Sequence, residues 1–217
     1  MNQNSINKLK NKIKMKKNTI LIIANGSSVL SYEYGALINT FENVARINNY
    51  SISKHDKYIG DKIDIWFNGA NQGLKKRKIL DQQQVVVFVP LLIHLNKQHR
   101  LNKISKKLGI SSDKYTLVHK DEMSFYESFT KINRPTTGLC SILWSLKRYN
   151  KVIIHGFDFF QATKDHYFDT KIKKLLIKYG LINMGNKHDN ISEKLFVDYL
   201  IEQNKVITLD QYLKKQR

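Results

Sequence analysis

The chain is expected to fold as an α/β domain on a mostly parallel sheet, and three observations carry that expectation. Short apolar runs of strand length recur along the 217 residues, helical patterns with an apolar face fall between some of them, and several runs end in Asn or Gly. Residues 19–24 are the first such run. They are almost wholly apolar without alternation and lead into Asn25-Gly26. A strand covered on both faces, as in a parallel sheet, requires that pattern. Runs at residues 44–48, 64–68, 85–90, 115–119, 151–156 and 205–209 repeat it. Leu139, Ile142, Leu143 and Leu146 share one helical face, and Leu195, Phe196, Tyr199 and Leu200 are expected to make another. Asn25, Asn48, Asn68 and Gly156 each stand at the end of a predicted strand. Open parallel sheets bind ligands outside the carboxyl ends of their strands, so these four points should converge. The expected class is therefore a Rossmann-like sheet flanked by helices.

Two segments fall outside the alternation. Residues 1–17 are polar and lysine-rich and read as a basic arm, leaving residues 18–217 as a single domain. Residues 157–188 hold Phe157, Phe159, Phe160, His166, Tyr167 and Phe168, then a lysine-rich stretch and a glycine-containing loop, and read as a lid over the site. The arm lacks the apolar stretch of a signal peptide, and no run reaches transmembrane length. Cys140 is the single cysteine, which excludes an intrachain disulfide and suits a reducing compartment. The formal charge of +19 admits an anionic substrate, an anionic membrane surface or nucleic acid. Nucleic acid is the weakest of these, because the basic residues read as spread along the chain and no nucleic-acid motif accompanies them.

Several motifs carry polar chemistry. Gly26 permits a tight turn after the first strand, and Ser27 or Ser28 could cap a following helix whose N–H groups favour a phosphate. Asn48 and Asn49 follow Arg46 and supply amides that donate and accept together, which suits a ribose or a base edge. Arg46 could pair with a carboxylate or hold the fold. Arg134-Pro135-Thr136-Thr137-Gly138 opens a helix with two hydroxyls and free N–H groups, a seat for a small anion. His166-Tyr167 lies in the expected lid, where either side chain could donate to a departing phosphate. His188 is suited to take a proton near neutral pH, and Glu193 could cap the last helix or orient its neighbours. GxGxxG, HExxH, DxD and GxSxG patterns are lacking, and Asp158 stands alone beside the lid. Chemistry without a metal or a resident cofactor is expected.

The residues IIHGFDFFQATKDHYFDTKIKKLL resemble the bacterial lipooligosaccharide sialyltransferases, glycosyltransferase family 42, and the resemblance extends over about residues 17–210. The chain is also similar to the animal sialyltransferases. ANGSSVL, VARINNY and YIGDK resemble their large motif, PTTGLCSILWSL with IIHGF the small motif, DHYF the His-Tyr motif, and HDNISE the very small motif. The resemblance implies that Asn25, Asn48 and Asn68 hold the cytidine monophosphate (CMP) part of a CMP-sialic acid donor. It implies that Thr136, Thr137 and Gly138 receive the donor's carboxylate and phosphate region, that His188 is the general base and that His166 contacts the leaving phosphate. Phe160 departs from a phosphate-contacting tyrosine of the bacterial enzymes, so His166 or Tyr167 would compensate. Ala24 replaces the usual first glycine.

The implied activity is transfer of sialic acid to a sugar hydroxyl with inversion, with a galactose of a glycolipid as acceptor. CMP-sialic acid is then a substrate and not a cofactor. A cytoplasmic location, peripheral on the inner face of the cytoplasmic membrane, goes with this reading, as does self-association into a homo-oligomer. The chain ends soon after its last strand, where bacterial relatives continue into a membrane-associating tail, and the basic arm would substitute. Two alternatives stay open. One is a transferase of another CMP-activated ulosonic acid. The other is a non-catalytic nucleotide- or nucleic-acid-binding protein.

Overall fold

The computed structural model describes residues 17–158, 166–169 and 189–216. Residues 1–16 of the expected arm, most of the expected lid, Phe160 and His188 lie outside the described residues. All seven predicted runs are strands: β1 (Lys17–Ile23), β2 (Asn43–Ile47), β3 (Ile65–Asn68), β4 (Gln84–Val87), β5 (Thr116–Leu117), β6 (Tyr149–His155) and β7 (Val206–Thr208). Lys17, placed in the arm by its charge, is the first residue of β1. The strands form one sheet in the order β5-β4-β3-β2-β1-β6-β7, and every pairing is parallel.

The lack of alternation in β1 has the expected cause. Ile20 and Ile22 enter one core, while Leu21 and Ile23 enter the other. Each such burial is worth about 1.5–3 kcal/mol against exposure. On the first face the sheet packs against α1 (Lys120–Thr130), α2 (Thr137–Leu146) and α3 (Asn190–Glu202). On the second face, Val29, Ile38, Ile59 and Leu209 of α4 (Leu209–Lys214) cover β1 and β6, while Ile104 and Leu108 cover β3 and β4.

α2 departs from a one-faced helix. Every residue from Leu139 to Ser145 is buried, because the helix is wedged between the sheet and its neighbours. In α3 the buried residues are Glu193, Val197 and Leu200. Leu195 and Tyr199, expected on the apolar face, are more than half exposed. The inward face of α3 is set by Glu193, which is drawn to the start of α2.

Candidate active site

From β5, at one edge of the sheet, the chain returns to β6 beside β1, so the strand order reverses between β1 and β6. Crevices at such switch points are where open α/β sheets bind ligands. Here the two strand ends are joined by backbone bonds, Ala24 N to His155 O at 2.8 Å and Gly26 N to Gly156 O at 3.0 Å. Gly156 has φ +73°, and a Cβ on it would meet Val29 Cγ1 at 2.2 Å. Only glycine satisfies both conditions.

The three predicted asparagines meet along this edge. Asn25 Nδ2 donates to Ile47 O at 2.9 Å, and Asn48 Oδ1 accepts from Gly69 N at 3.1 Å. Asn68 is fully buried, and its Oδ1 accepts from Ala70 N at 3.1 Å. Each amide spends one atom on a neighbouring loop. Asn25 Oδ1, Asn48 Nδ2 and Asn68 Nδ2 have no partner among the described residues, and Asn68 Nδ2 is buried. An unpaired buried donor costs about 1–3 kcal/mol, which a ligand acceptor would recover. One acceptor and two donors match the hydroxyls and amide edge of a pyrimidine nucleoside. Arg46 serves the fold. Its guanidinium, 1% exposed, donates to Ile59 O, Gly60 O and Lys62 O, and burial pulls its pKa down to about 10.

The turn after β1 differs from expectation. Ser27–Leu30 is a four-residue 3₁₀ turn with no side-chain cap. Its anion seat holds the protein's own Asp158. Ser28 N donates to Asp158 Oδ2 at 3.0 Å, and Ser28 Oγ donates to Asp158 Oδ1. A Cβ on Gly26 would strike the Asp158 carboxylate, so Gly26 admits that side chain. Asp158 is therefore paired, not isolated, and it ties the segment after β6 to the segment after β1.

The expected anion seat at residues 136–138 keeps its helix start. Thr136 caps α2, with its Oγ1 accepting from Leu139 N at 3.2 Å. Thr136 itself is committed to Glu193: its N donates to Oε1 at 2.6 Å and its Oγ1 to Oε2 at 2.5 Å. Glu193 is 1% exposed, and burial raises its pKa to about 7 against the opposing effect of the two Thr136 bonds. The Thr137 and Gly138 N–H groups fall in the first turn, where no intrahelical acceptor exists. A Cβ on Gly69 would lie 3.0 Å from Thr137 Oγ1, and one on Gly138 3.3 Å from Phe157 Cε1. The start of α2 thus sits between the ends of β3 and β6. Arg134, half-buried with φ +57°, precedes it.

His166 and Tyr167 divide their tasks. Tyr167 N donates to Asn25 O at 3.1 Å, which lays this segment over the crevice. The Tyr167 side chain is buried, and its hydroxyl donates to Ser51 O and accepts from Ser51 N, both at 2.9 Å. It works as an anchor. Asp169 Oδ2 accepts from His166 N at 2.9 Å and lies 3.4 Å from Nδ1. The His166 ring also stacks on Phe168 with centroids 5.3 Å apart. A carboxylate at Nδ1 orients an imidazole. Reading the sequence missed Asp169, although its i,i+3 spacing from His166 was a usable signal. The Ser28–Asp158 bond joins residues 130 positions apart and had no local signal. Beyond β6 lies a cavity of about 610 Å³, bordered by Ser28, Phe157, Asp158, Asp198 and Asp210.

Comparison with known proteins bears on the fold and the family. No curated protein sequence matches the chain. Among solved structures, a mammalian sialyltransferase in complex with Gal-beta-1-3GalNAc-ortho-nitrophenol superposes with TM-score 0.63 and 17% identity, covering 89% of this chain and 69% of that one. A second mammalian sialyltransferase structure gives TM-score 0.67 and 15% identity with the same coverage. These are likenesses of fold. The family model described as Glycosyltransferase family 29 (sialyltransferase) matches residues 2–205, and with that span the chain belongs to glycosyltransferase family 29, the sialyltransferases.

Proposed function

We propose that the protein transfers sialic acid from CMP-sialic acid to a sugar hydroxyl, with a galactose of a lipooligosaccharide as acceptor. The observation that carries this reading is the amide group at the strand ends, with Asn68 Nδ2 buried and without a partner among the described residues, beside the start of α2. Asn25, Asn48 and Asn68 would hold the cytidine and ribose. The Thr137 hydroxyl and the N–H groups of Thr137 and Gly138 would hold the donor's anionic groups, aided by the helix dipole. Thr136, committed to Glu193, would position that turn instead of touching the donor. The cavity beyond β6 would give room for the sugars.

His188, which precedes Asp189 in the sequence, would be the base, a role supported by the resemblance of HDNISE to the very small motif. The acceptor oxygen attacks the anomeric carbon while His188 takes its proton. The bond from that carbon to the phosphate oxygen breaks, its electron pair leaves with CMP, and configuration inverts. His166, held by Asp169, donates toward the departing phosphate. Each positioned acid or base contributes about 10²–10⁴-fold. The test is CMP release from CMP-sialic acid with lactose, in EDTA, for wild type, His188→Ala and His166→Ala, with CMP affinity measured for Asn68→Ala. Release by wild type, loss of about 10²-fold or more in each histidine variant, and weakened CMP binding in Asn68→Ala are expected. Undiminished turnover in His188→Ala sinks the mechanism. Wild type that neither releases nor binds CMP sinks the donor assignment.

A further inference from the structure

The positive charge is not spread evenly. Residues 75–114 hold ten Lys and Arg against two Asp, eight of the net nineteen charges in forty residues. Folding gathers these residues at the β4–β5 end of the sheet. Leu74, Ile79, Ile93, Leu101, Ile104 and Leu108 turn inward onto one core with Trp66 and Val87, which leaves the intervening cations outside. A Cβ on Gly109 would lie 3.1 Å from Lys76 Cδ, so the Lys76 side chain lies against the end of the Ile104–Leu108 helix. Lys114 approaches Asp81 at 4.0 Å, and Lys107 donates to Ala70 O. Lys97, Arg100 and Lys103 have no ion-pair partner among the described residues and are at least partly exposed.

Exposed leucines lie within this basic surface. Leu80, Leu92 and Leu95 are 48%, 47% and 61% exposed. Leu92 and Leu95 lie in the helix just before Lys97 and Arg100. We propose that this end of the protein docks on an anionic lipid surface, with the cations against headgroups and the leucines at the acyl boundary. Single-stranded nucleic acid is disfavoured because it needs free aromatic platforms, whereas Tyr50 is covered by Arg77 at 3.5 Å and Tyr115 is half-buried against the core. The loop carrying Lys75 is tied to the donor crevice, since Lys75 N donates to Asn49 Oδ1 at 2.8 Å. Docking would therefore bring the crevice to the membrane, and a membrane-embedded glycolipid would be the acceptor. That last step rests on the transferase reading.

The test is co-sedimentation of the full chain with vesicles of phosphatidylcholine, with and without phosphatidylglycerol. The combined variant Lys97→Glu, Arg100→Glu, Lys103→Glu is compared with a control carrying Lys205→Glu, Lys214→Glu and Lys215→Glu. Leu92→Ser with Leu95→Ser probes the apolar part, and circular dichroism verifies folding. Binding that needs phosphatidylglycerol, falls about tenfold or more in the patch variant and falls much less in the control supports docking. Equal binding to both vesicle types overturns it, as do equal losses in patch and control. Patch-dependent binding to transfer RNA without vesicle binding also overturns it. CMP release with soluble lactose is measured in parallel. Its failure in wild type defeats the transferase reading, whereas failed vesicle binding with intact release defeats the docking alone.

Discussion

Glu193→Gln should remove a loss of stability that the wild type suffers as pH rises toward neutrality. The Glu193 carboxyl is buried at the start of α3 and accepts two short bonds from Thr136. Burial favours the protonated acid, and the two bonds favour the ionised one. Burial dominates, raising the pKa from 4.5 to about 7. A folded-state pKa above the unfolded one means that the native protein holds this proton more tightly. The associated stability is complete below pH 4.5 and is lost as pH rises toward about 7. At about 1.4 kcal/mol per tenfold, the gap is worth ~3 kcal/mol. Glutamine cannot ionise. Its Oε1 can keep the bond from Thr136 N, and its amide can donate to Thr136 Oγ1 at a pH-independent cost of about 1 kcal/mol. Relative to wild type, Glu193→Gln should therefore gain ~3 kcal/mol between acid and neutral pH. Urea denaturation of both proteins across that range measures the difference. A difference that stays constant, or that moves against glutamine as pH rises, refutes the reasoning. It would show that the Thr136 bonds outweigh burial.

Two further perturbations probe the framework of the crevice. Gly156→Ala puts a Cβ 2.2 Å from Val29 Cγ1 at a φ of +73°, and a loss of about 3 kcal/mol or more in denaturant unfolding is expected. Tyr167→Phe leaves Ser51 N and O without their partner and should cost about 1–3 kcal/mol. Because Tyr167 anchors the segment that carries His166, whose proposed task is at the departing phosphate, the same variant should lower kcat more than it raises the KM for donor. Steady-state kinetics with CMP-sialic acid checks that split.

The seven strands were legible because burial on both faces of a parallel sheet demands continuous apolar runs, and that demand is local. The convergence of Asn25, Asn48, Asn68 and Gly156 was legible for a related reason: a strand end in this architecture has one side of the sheet on which to lie. The exposed residues of α3 were misread. Leu195 and Tyr199 obey helical spacing, but the inward face was chosen by the bond from Glu193 to Thr136, 57 positions away. The phosphate seat after β1 was misplaced similarly, since Asp158 fills it from the far side of the switch point.

The sequence by itself determined the strands, the sheet's parallel class and the side-chain inventory of the candidate site. These follow from composition, periodicity and short motifs, which act over a few residues. Only the tertiary structure decided which of those polar groups are spent and which remain. Thr136 and Tyr167 are consumed by Glu193 and Ser51, whereas Asn68 keeps a buried donor and His166 gains Asp169. It also decided that the lysines and arginines of residues 75–114 lie at one end of the sheet. Hydrogen-bond partners and surface potential depend on distances through space, and in this chain the deciding contacts mostly join residues far apart along it.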